Sequence, residues 1–307
     1  MQRIIHGDNQ EVLPTLPDAF ARLIYIDPPF NTGTVQKRTR IKVQAATGAN
    51  SSDRKGSDRD GGDGNGGDRT GGDRTGFGGR RYVSQVHGSP AFADRFDDFT
   101  AFLMPRIEAA LRCLTPDGSL FVHLDAREVH YIKVALDQLL GRACFMNEII
   151  WAYDFGGRSK RKWPAKHDTI LWYALDPERY VFHYDAIDRI PYLAPGLVGR
   201  EKAARGKTPT DVWWQTIVPT GGREKTGYPT QKPRAILDRI VRVHTDPGDT
   251  ILDFFAGSGT TGEAAAANGR GYLLIDSSED AAEVMSRRLE VGYERYERYE
   301  RSDEVTK

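Results

Sequence analysis

Four short apolar runs, each bounded by turn-forming residues, constrain this chain more than anything else in it. Residues 21–27 (ARLIYID) are rich in Ile and Tyr and are stopped by a double proline. Residues 119–125 (SLFVHLD) follow Pro116-Asp117-Gly118, residues 250–255 (TILDFF) follow Pro247-Gly248-Asp249, and residues 271–276 (GYLLID) follow Asn268-Gly269. Near-continuous apolar runs of this length suit strands buried on both faces, as in a parallel sheet. Helical patterns lie between them at 99–114, 127–140, 260–267 and 278–291. The alternation predicts an α/β, doubly wound, Rossmann-like sheet. Three of the runs end on aspartate, and the fourth holds Asp253 inside it. Ligands of open α/β sheets bind beyond the carboxyl ends of the strands, so these carboxylates are expected to line a site.

The remainder is organised around that pattern. At 307 residues and 39% hydrophobic, the chain is long and apolar enough for one large domain or two small ones. Residues 48–79 stand apart, because the unit GGDRT occurs twice and Phe77 is the one apolar side chain larger than alanine. Such a stretch cannot offset its ordering entropy by burial and predicts a flexible insert, placed at about 48–80. Residues 151–225 hold the tryptophans Trp151, Trp163, Trp172, Trp213 and Trp214 among loops and basic runs, and read as a second, more irregular lobe. That leaves 1–150 and 226–292 as two halves of the main domain. The tail, 293–307, alternates charges at helical spacing and reads as a solvated helix end. Two cysteines cannot make a disulfide framework, and Cys113 and Cys144 both sit in apolar contexts that suit structural roles. No His/Cys spacing suggests a metal, the start MQRIIHGDNQ lacks an apolar leader, and no apolar run approaches ~20 residues, so neither targeting nor membrane spanning is expected.

The stretch from Asp253 through Gly257-x-Gly259-x-x-Gly262 follows a strand pattern and opens a helix pattern. Glycines there permit a tight turn and close approach of backbone to a ligand. Asp276, 19 residues after Gly257, ends the next strand, where a carboxylate can accept from ribose hydroxyls. This much fits NAD, FAD or S-adenosylmethionine. Asp253 would repel a pyrophosphate and attract an ammonium, which favours S-adenosylmethionine. Asp27-Pro28-Pro29-Phe30 forms a second distinctive corner. Two prolines force a rigid exit from the strand with carbonyls free to accept. A carboxylate, a free carbonyl and an aromatic face together suit a planar ligand bearing an NH₂ group, although a strand-ending turn with a packed Phe would look the same.

Asp27-Pro-Pro-Phe30, Tyr228-Pro-Thr-Gln-Lys-Pro233 and Asp253-Phe-Phe-Ala-Gly-Ser-Gly-Thr-Thr261 together resemble the β-class amino DNA methyltransferases, whose motif order is circularly permuted. The catalytic corner comes first in that class, then the target-recognition region, then the cofactor loop, as here. The resemblance covers the chain outside the 48–79 insert, the recognition lobe and the tail. It implies a methyltransferase sheet with a smaller target-recognition lobe, and methyl transfer from S-adenosylmethionine to adenine N6 or cytosine N4. Asp27, Pro28, Pro29 and Phe30 would be catalytic: Asp27 and the Pro28 carbonyl would accept the two N–H groups of the amine, and Phe30 would stack on a flipped base. Asp253, Phe254, Phe255, Ala256, Gly257, Ser258, Gly259 and Thr260 would cradle the methionine part of the cofactor. Asp276 would hold its ribose, Asp8 would border its adenine, and Thr230 and Lys232 would match the remaining cofactor motif, Lys232 meeting the carboxylate. An Asp-headed corner usually accompanies adenine in this family. His123 reads as satisfied structure.

Lys+Arg 43 and Asp+Glu 43 give zero formal charge, which argues against nucleic-acid binding only if the charges are evenly spread. They are not. Lys37, Arg38 and Arg40 follow the DPPF corner, and Arg158, Lys160, Arg161 and Lys162 surround Trp163 with no acid among them. These runs are expected to meet the phosphates of double-stranded DNA. The resemblance also implies a bacterial cytoplasmic protein near the nucleoid, monomeric or homodimeric, with a possible restriction endonuclease partner. A nicotinamide or flavin oxidoreductase, an RNA or protein methyltransferase, and a non-catalytic DNA-binding relative remain as rival readings.

Overall fold

The computed structural model describes residues 1–31, 96–219 and 221–297, together with the backbone of five strands between 34 and 94. The chain divides into two units, Met1–Thr34 with Asp94–Lys307, and Val35–Ala93. In chain order the strands are β1 Gln2–His6, β2 Ala21–Ile26, β3 Thr34–Lys37, β4 Arg40–Ala45, β5 Asp73–Thr75, β6 Arg81–His87, β7 Ala91–Asp94, β8 Leu114–Leu124, β9 Phe145–Ala152, β10 His167–Ala174, β11 Val212–Trp214, β12 Thr250–Asp253, β13 Gly271–Asp276 and β14 Glu294–Arg295. The α-helices are α1 Asn9–Val12, α2 Phe99–Leu111, α3 Val129–Leu140, α4 Arg200–Arg205, α5 Arg234–His244, α6 Thr260–Ala267 and α7 Glu279–Leu289.

The larger unit is built on a nine-stranded sheet of order β11-β9-β10-β8-β2-β12-β13-β1-β14. From β8 to β14 the strands are parallel, while β10 runs antiparallel to both of its neighbours. Alternate residues feed opposite faces. Ile24, Ile26, Leu120, Val122, Leu252 and Ile275 pack with Leu103 and Ile107 of α2 and Ile132 and Leu136 of α3. Leu23, Tyr25, Phe121, Ile251, Tyr272 and Leu274 pack on the other face with Leu237 and Ile240 of α5, Ala264 of α6 and Met285 of α7. Helices thus cover both faces of a largely parallel sheet, which is the expected α/β doubly wound arrangement. All four strands read from the apolar runs are present: β13 keeps its bounds, β2 and β8 stop one residue before their aspartates, β8 starts earlier, and Phe254 and Phe255 leave the sheet and enter the loop after β12.

Three readings need correction. The first concerns the stretch taken as an irregular lobe. The end of β9 and all of β10 and β11 lie in the main sheet, and Trp151, Trp172 and Trp213 are core residues. Asn147 and Glu148 interrupt the apolar run of β9, and buried Asp168 and Thr169 interrupt that of β10, which disguised both strands. The loops at 153–166 and 175–211 carry the irregular part. The second concerns Pro116-Asp117-Gly118, which lies within β8. Ala21 pairs with Leu114 and Leu23 with Ser119, so residues 115–118 bulge out of the ladder. The third concerns the start of the tail, since residues 298–307 lie outside the described residues. The left-handed Glu290 (φ 54°) ends α7, and β14 then pairs with Ile5 and His6, held by Arg3 bonding Glu294 at 2.9 Å.

Between residues 34 and 94 lie two sheet fragments that the composition gave no hint of: β3 beside β7, and the antiparallel β4-β6-β5. Arg40 to Ala45 pair with His87 to Tyr82, and Asp73 to Thr75 with Val83 to Arg81. Apart from β5, the expected flexible insert at 48–80 lies outside the described residues.

Candidate active site

Because β2 and β12 are neighbours in register, Leu23 against Ile251 and Ile24 against Leu252, the two segments that follow them leave the same sheet edge side by side. The glycine loop turns after Asp253. Asp253 is 2% exposed, and its carboxylate accepts from the Phe255 N–H at 3.0 Å and the Thr261 hydroxyl at 2.6 Å. It therefore ties the start of the loop to the first turn of α6. Burial pushes its pKa up to about 7 against those two hydrogen bonds, with the negative charges of Asp27 and Asp276 adding to the rise. Asp276 clamps the loop from the next strand, accepting from Gly257 N–H at 2.8 Å and Ser278 N–H at 2.9 Å. Burial raises its pKa as well. Each carboxylate oxygen has a second lone pair, so neither clamp exhausts its acceptor capacity.

Two glycines make the turn possible. Gly257 (φ 51°) and Gly259 (φ 75°) are left-handed, and a Cβ on Gly259 would come within 2.8 Å of Met285 Cγ. Gly259→Ala should lower unfolding stability by roughly 2–4 kcal/mol, the sum of left-handed strain and overpacking against α7. Urea unfolding measures it; a change below about 0.5 kcal/mol, the size of an ordinary surface substitution, would contradict this packing. Asn9, which belongs to no motif in the sequence, supports the loop from below. It donates to the Phe254 carbonyl at 2.7 Å and is itself held by Arg106 at 2.7 Å.

The DPPF corner faces this loop. Pro28 is buried, while Asp27, Pro29 and Phe30 are half-buried. Asn31 follows with a left-handed backbone (φ 53°), fixed by its side chain to the Phe96 N–H at 2.9 Å and Glu128 at 2.8 Å. Lys232 meets the DPPF corner directly. Its Nζ lies 2.7 and 2.6 Å from the two oxygens of Asp27 and 4.4 Å from the Phe30 ring centroid. Thr230, left-handed at φ 59° and exposed, starts the turn that delivers Lys232, whose carbonyl accepts from Thr260 Oγ1 at 3.3 Å. Tyr228 of the same segment approaches Gly257: its Cε1 would lie 3.3 Å from a Cβ placed there.

Beneath the corner runs a buried polar chain across three strands. Tyr25 of β2 bonds His123 Nδ1 at 2.7 Å, and His123 Nε2 of β8 lies 3.3 Å from Asp168 of β10. Tyr153 donates to the other Asp168 oxygen at 3.0 Å. Burial alone would raise the Asp168 carboxyl, but the His123 bond and charge, Lys232 and the Tyr153 hydroxyl outweigh it and hold it low. His123 is fully buried, 6.0 Å from the Phe30 ring and 5.5 Å from Trp151. It is satisfied structure, as expected, yet it contacts the corner. A His inside one apolar run and an Asp inside another were the available signals.

The other expected site residues are more peripheral. Asp8 is exposed, caps α1 through the Gln10 N–H at 2.9 Å and lies 3.7 Å from Arg106. Ser258 and Thr260 are buried and both bond Arg288, Ser258 through its carbonyl and Thr260 through its hydroxyl. Arg158, Lys160, Arg161 and Lys162 lie on one exposed loop. Arg158 pairs with Asp154 at 2.9 Å, and Ser159 Oγ accepts from the Arg161 and Lys162 amides. Lys166 closes that loop by donating to the carbonyls of Phe155, Gly156 and Gly157. Trp163 stands 94% exposed among these cations. Arg38 and the side chains of Lys37 and Arg40 lie outside the described residues.

Residues 21–287 match the family model of DNA methylases. The chain is 30% identical over 195 residues to type II methyltransferase M.HpaI of Haemophilus parainfluenzae, a match spanning 64% of this chain and 60% of that protein. It is 30% identical over 301 residues to DNA adenine methyltransferase YhdJ of Escherichia coli (strain K12), spanning 94% of this chain and 82% of that one. Its fold aligns with the crystal structure of the M1.HpyAVI–SAM complex at TM-score 0.56 and 20% identity, over 95% of this chain and all of the other. Among the described residues, no helix is long and apolar enough to cross a membrane.

Proposed function

The chain belongs to the DNA methylase family, and on that premise we propose that it is a site-specific DNA methyltransferase acting on adenine N6 of a base turned out of the duplex. The observation that carries this reading is the register of β2 with β12, which sets an acceptor-and-stacking corner beside a glycine loop clamped by two carboxylates. The residues fit S-adenosylmethionine: Asp253 and Asp276 keep free lone pairs for cationic and hydroxyl groups, and no basic side chain of the loop calls for a phosphate. S-adenosylmethionine, when bound, supplies a methyl group on a positively charged sulfur. Asp27 and the Pro28 carbonyl accept the two N–H groups of the exocyclic amine and draw its lone pair out of conjugation with the ring. Phe30 holds the base face, and the buried Tyr25–His123–Asp168 chain keeps the corner rigid. Catalysis on this reading is positioning and electrostatics without a covalent enzyme intermediate.

Adenine is supported by the likeness to YhdJ over most of the chain and by the Asp-headed corner. Incubating the protein with duplex DNA and S-adenosylmethionine, digesting the DNA and weighing the nucleosides is expected to give N6-methyl-2′-deoxyadenosine. N4-methylcytosine would keep the reaction and overturn the base; unmodified DNA would overturn the reading.

The exposed loop bearing Lys160, Arg161, Lys162 and Trp163 suits a phosphate track with an aromatic platform. Replacing the three cations by alanine should reduce the slope of log affinity against log salt by about 0.9 for each phosphate that is no longer neutralised. An unchanged slope would remove this loop from the DNA interface. The likeness to a type II methyltransferase supports a cognate restriction endonuclease as a further partner. The protein would act beside the nucleoid in a bacterial cytoplasm, as a monomer or homodimer.

A further inference from the structure

We propose that Lys232 occupies the target-amine position of the DNA-free enzyme and is exchanged for the base when it enters; this rests on the methyl-transfer reading above. Its ammonium presents N–H donors to both Asp27 oxygens, at 2.7 and 2.6 Å, and lies 4.4 Å from the centre of the Phe30 ring. Asp27 is one of the two acceptors, and Phe30 the aromatic plate, that the exocyclic amine and its ring require. The ammonium and a stacked base cannot both hold them, because a cation 4.4 Å from the ring centre stands where the base would stack.

The surroundings favour side-chain exchange over movement of the whole segment. Gln231, the preceding residue, accepts from the Thr226 N–H at 2.9 Å and donates to the Glu224 carbonyl at 2.6 Å. The Lys232 carbonyl accepts from Thr260. The backbone is therefore tethered on both sides while four methylenes carry the charge. The Lys232 side chain is 9% exposed and that of Asp27 18%, so solvent screens the pair little. Asp27 also shares this edge with Asp253, Asp276 and Asp168, and Lys232 compensates its carboxylate until a donor replaces it. An amine that enters replaces the lysine donor on Asp27, and when no amine enters Lys232 keeps that acceptor paired.

The test compares duplexes carrying the target base with duplexes in which that base lacks its exocyclic amine (purine for adenine, 2-pyrimidinone for cytosine). In the wild type, Lys232 continues to satisfy Asp27 when the amine is missing, so the two Kd values should lie within about twofold, the energy of at most a weak hydrogen bond. In Lys232→Met, Asp27 depends on the amine, and the aminated duplex should bind about tenfold tighter than its analogue. Lys232→Arg supplies a bidentate fork that holds Asp27 more firmly, so its ratio should stay near that of the wild type while its methylation rate falls. Bound S-adenosylmethionine and the thermal transition of each variant report folding. A ratio in Lys232→Met equal to that of the wild type overturns the exchange, and so does a wild type that already favours the amine tenfold. If Lys232→Met does not fold, a Lys232→Arg rate equal to the wild type overturns it instead. A folded wild type that methylates no DNA overturns the underlying reading instead, which separates the two failures.

Discussion

Asp27→Ala should lower the rate of methyl transfer by about 10²–10³-fold, the usual cost of removing one preorganised group from the reacting centre. Asp27 leaves the end of β2 with its carboxylate against Lys232, and its removal takes away the acceptor on which both the lysine and the amine depend. The loop that would hold the cofactor does not use it: Asp253 and Asp276 make their own bonds to Phe255, Thr261, Gly257 and Ser278. Affinity for S-adenosylmethionine should therefore change by less than about threefold, well under the energy of a charged hydrogen bond. Single-turnover transfer of a labelled methyl group and equilibrium binding of S-adenosylmethionine measure the two quantities. A rate within tenfold of the wild type would remove Asp27 from the chemistry.

Asp253→Asn should uncouple charge from geometry in the glycine loop. Asparagine can accept from the Phe255 N–H through its carbonyl and bond the Thr261 hydroxyl through its amide, so the turn keeps its shape. What disappears is a carboxylate whose pKa burial raises to about 7. A folded-state pKa above that of the unfolded chain means that the native state holds a proton the unfolded state has released. The wild type thus loses stability as pH rises from about 4 to about 7, by on the order of 4 kcal/mol. His244 works in the opposite direction. Burial lowers its pKa to about 3, so its contribution is lost as pH falls from about 6.5. Since His244 is common to both proteins, the difference between Asp253→Asn and wild type isolates Asp253. The variant should gain relative stability between pH 5 and pH 8, and its S-adenosylmethionine affinity should fall about tenfold with the pH dependence near 7 removed. Parallel stability profiles would show that Asp253 titrates normally.

Much of the fold was legible because the central strands are apolar on both faces. Residues 21–26, 250–253 and 271–276 declare themselves by composition and by the turns beside them. The strands nearer the edge do not. In β9 and β10 polar residues occur where a partner satisfies them, such as Asp168 between His123 and Tyr153, and no local rule separates that from a loop. The DPPF corner and the glycine loop were legible as motifs because their chemistry depends on backbone conformation that few residues permit. The partner of Asp27 was not. Lys232 lies 205 residues away, and its contact depends on how the 226–233 segment turns over the sheet edge. Asn9 and His123 were obscured for the same reason: their roles are contacts with Phe254 and Tyr25, made only by the assembled sheet.

The strand order also sets the hazards of synthesis. β2 lies between β8 and β12, and β8 is complete after residue 124 whereas β12 begins at Thr250. A growing chain therefore carries ARLIYI as an open sheet edge, strongly apolar and rich in β-formers, through the synthesis of more than a hundred further residues. Such an edge recruits other strands. Slow translation or truncation before β12 should yield aggregation rather than a soluble half-enzyme, and the strand that completes the catalytic edge also protects the chain from its neighbours.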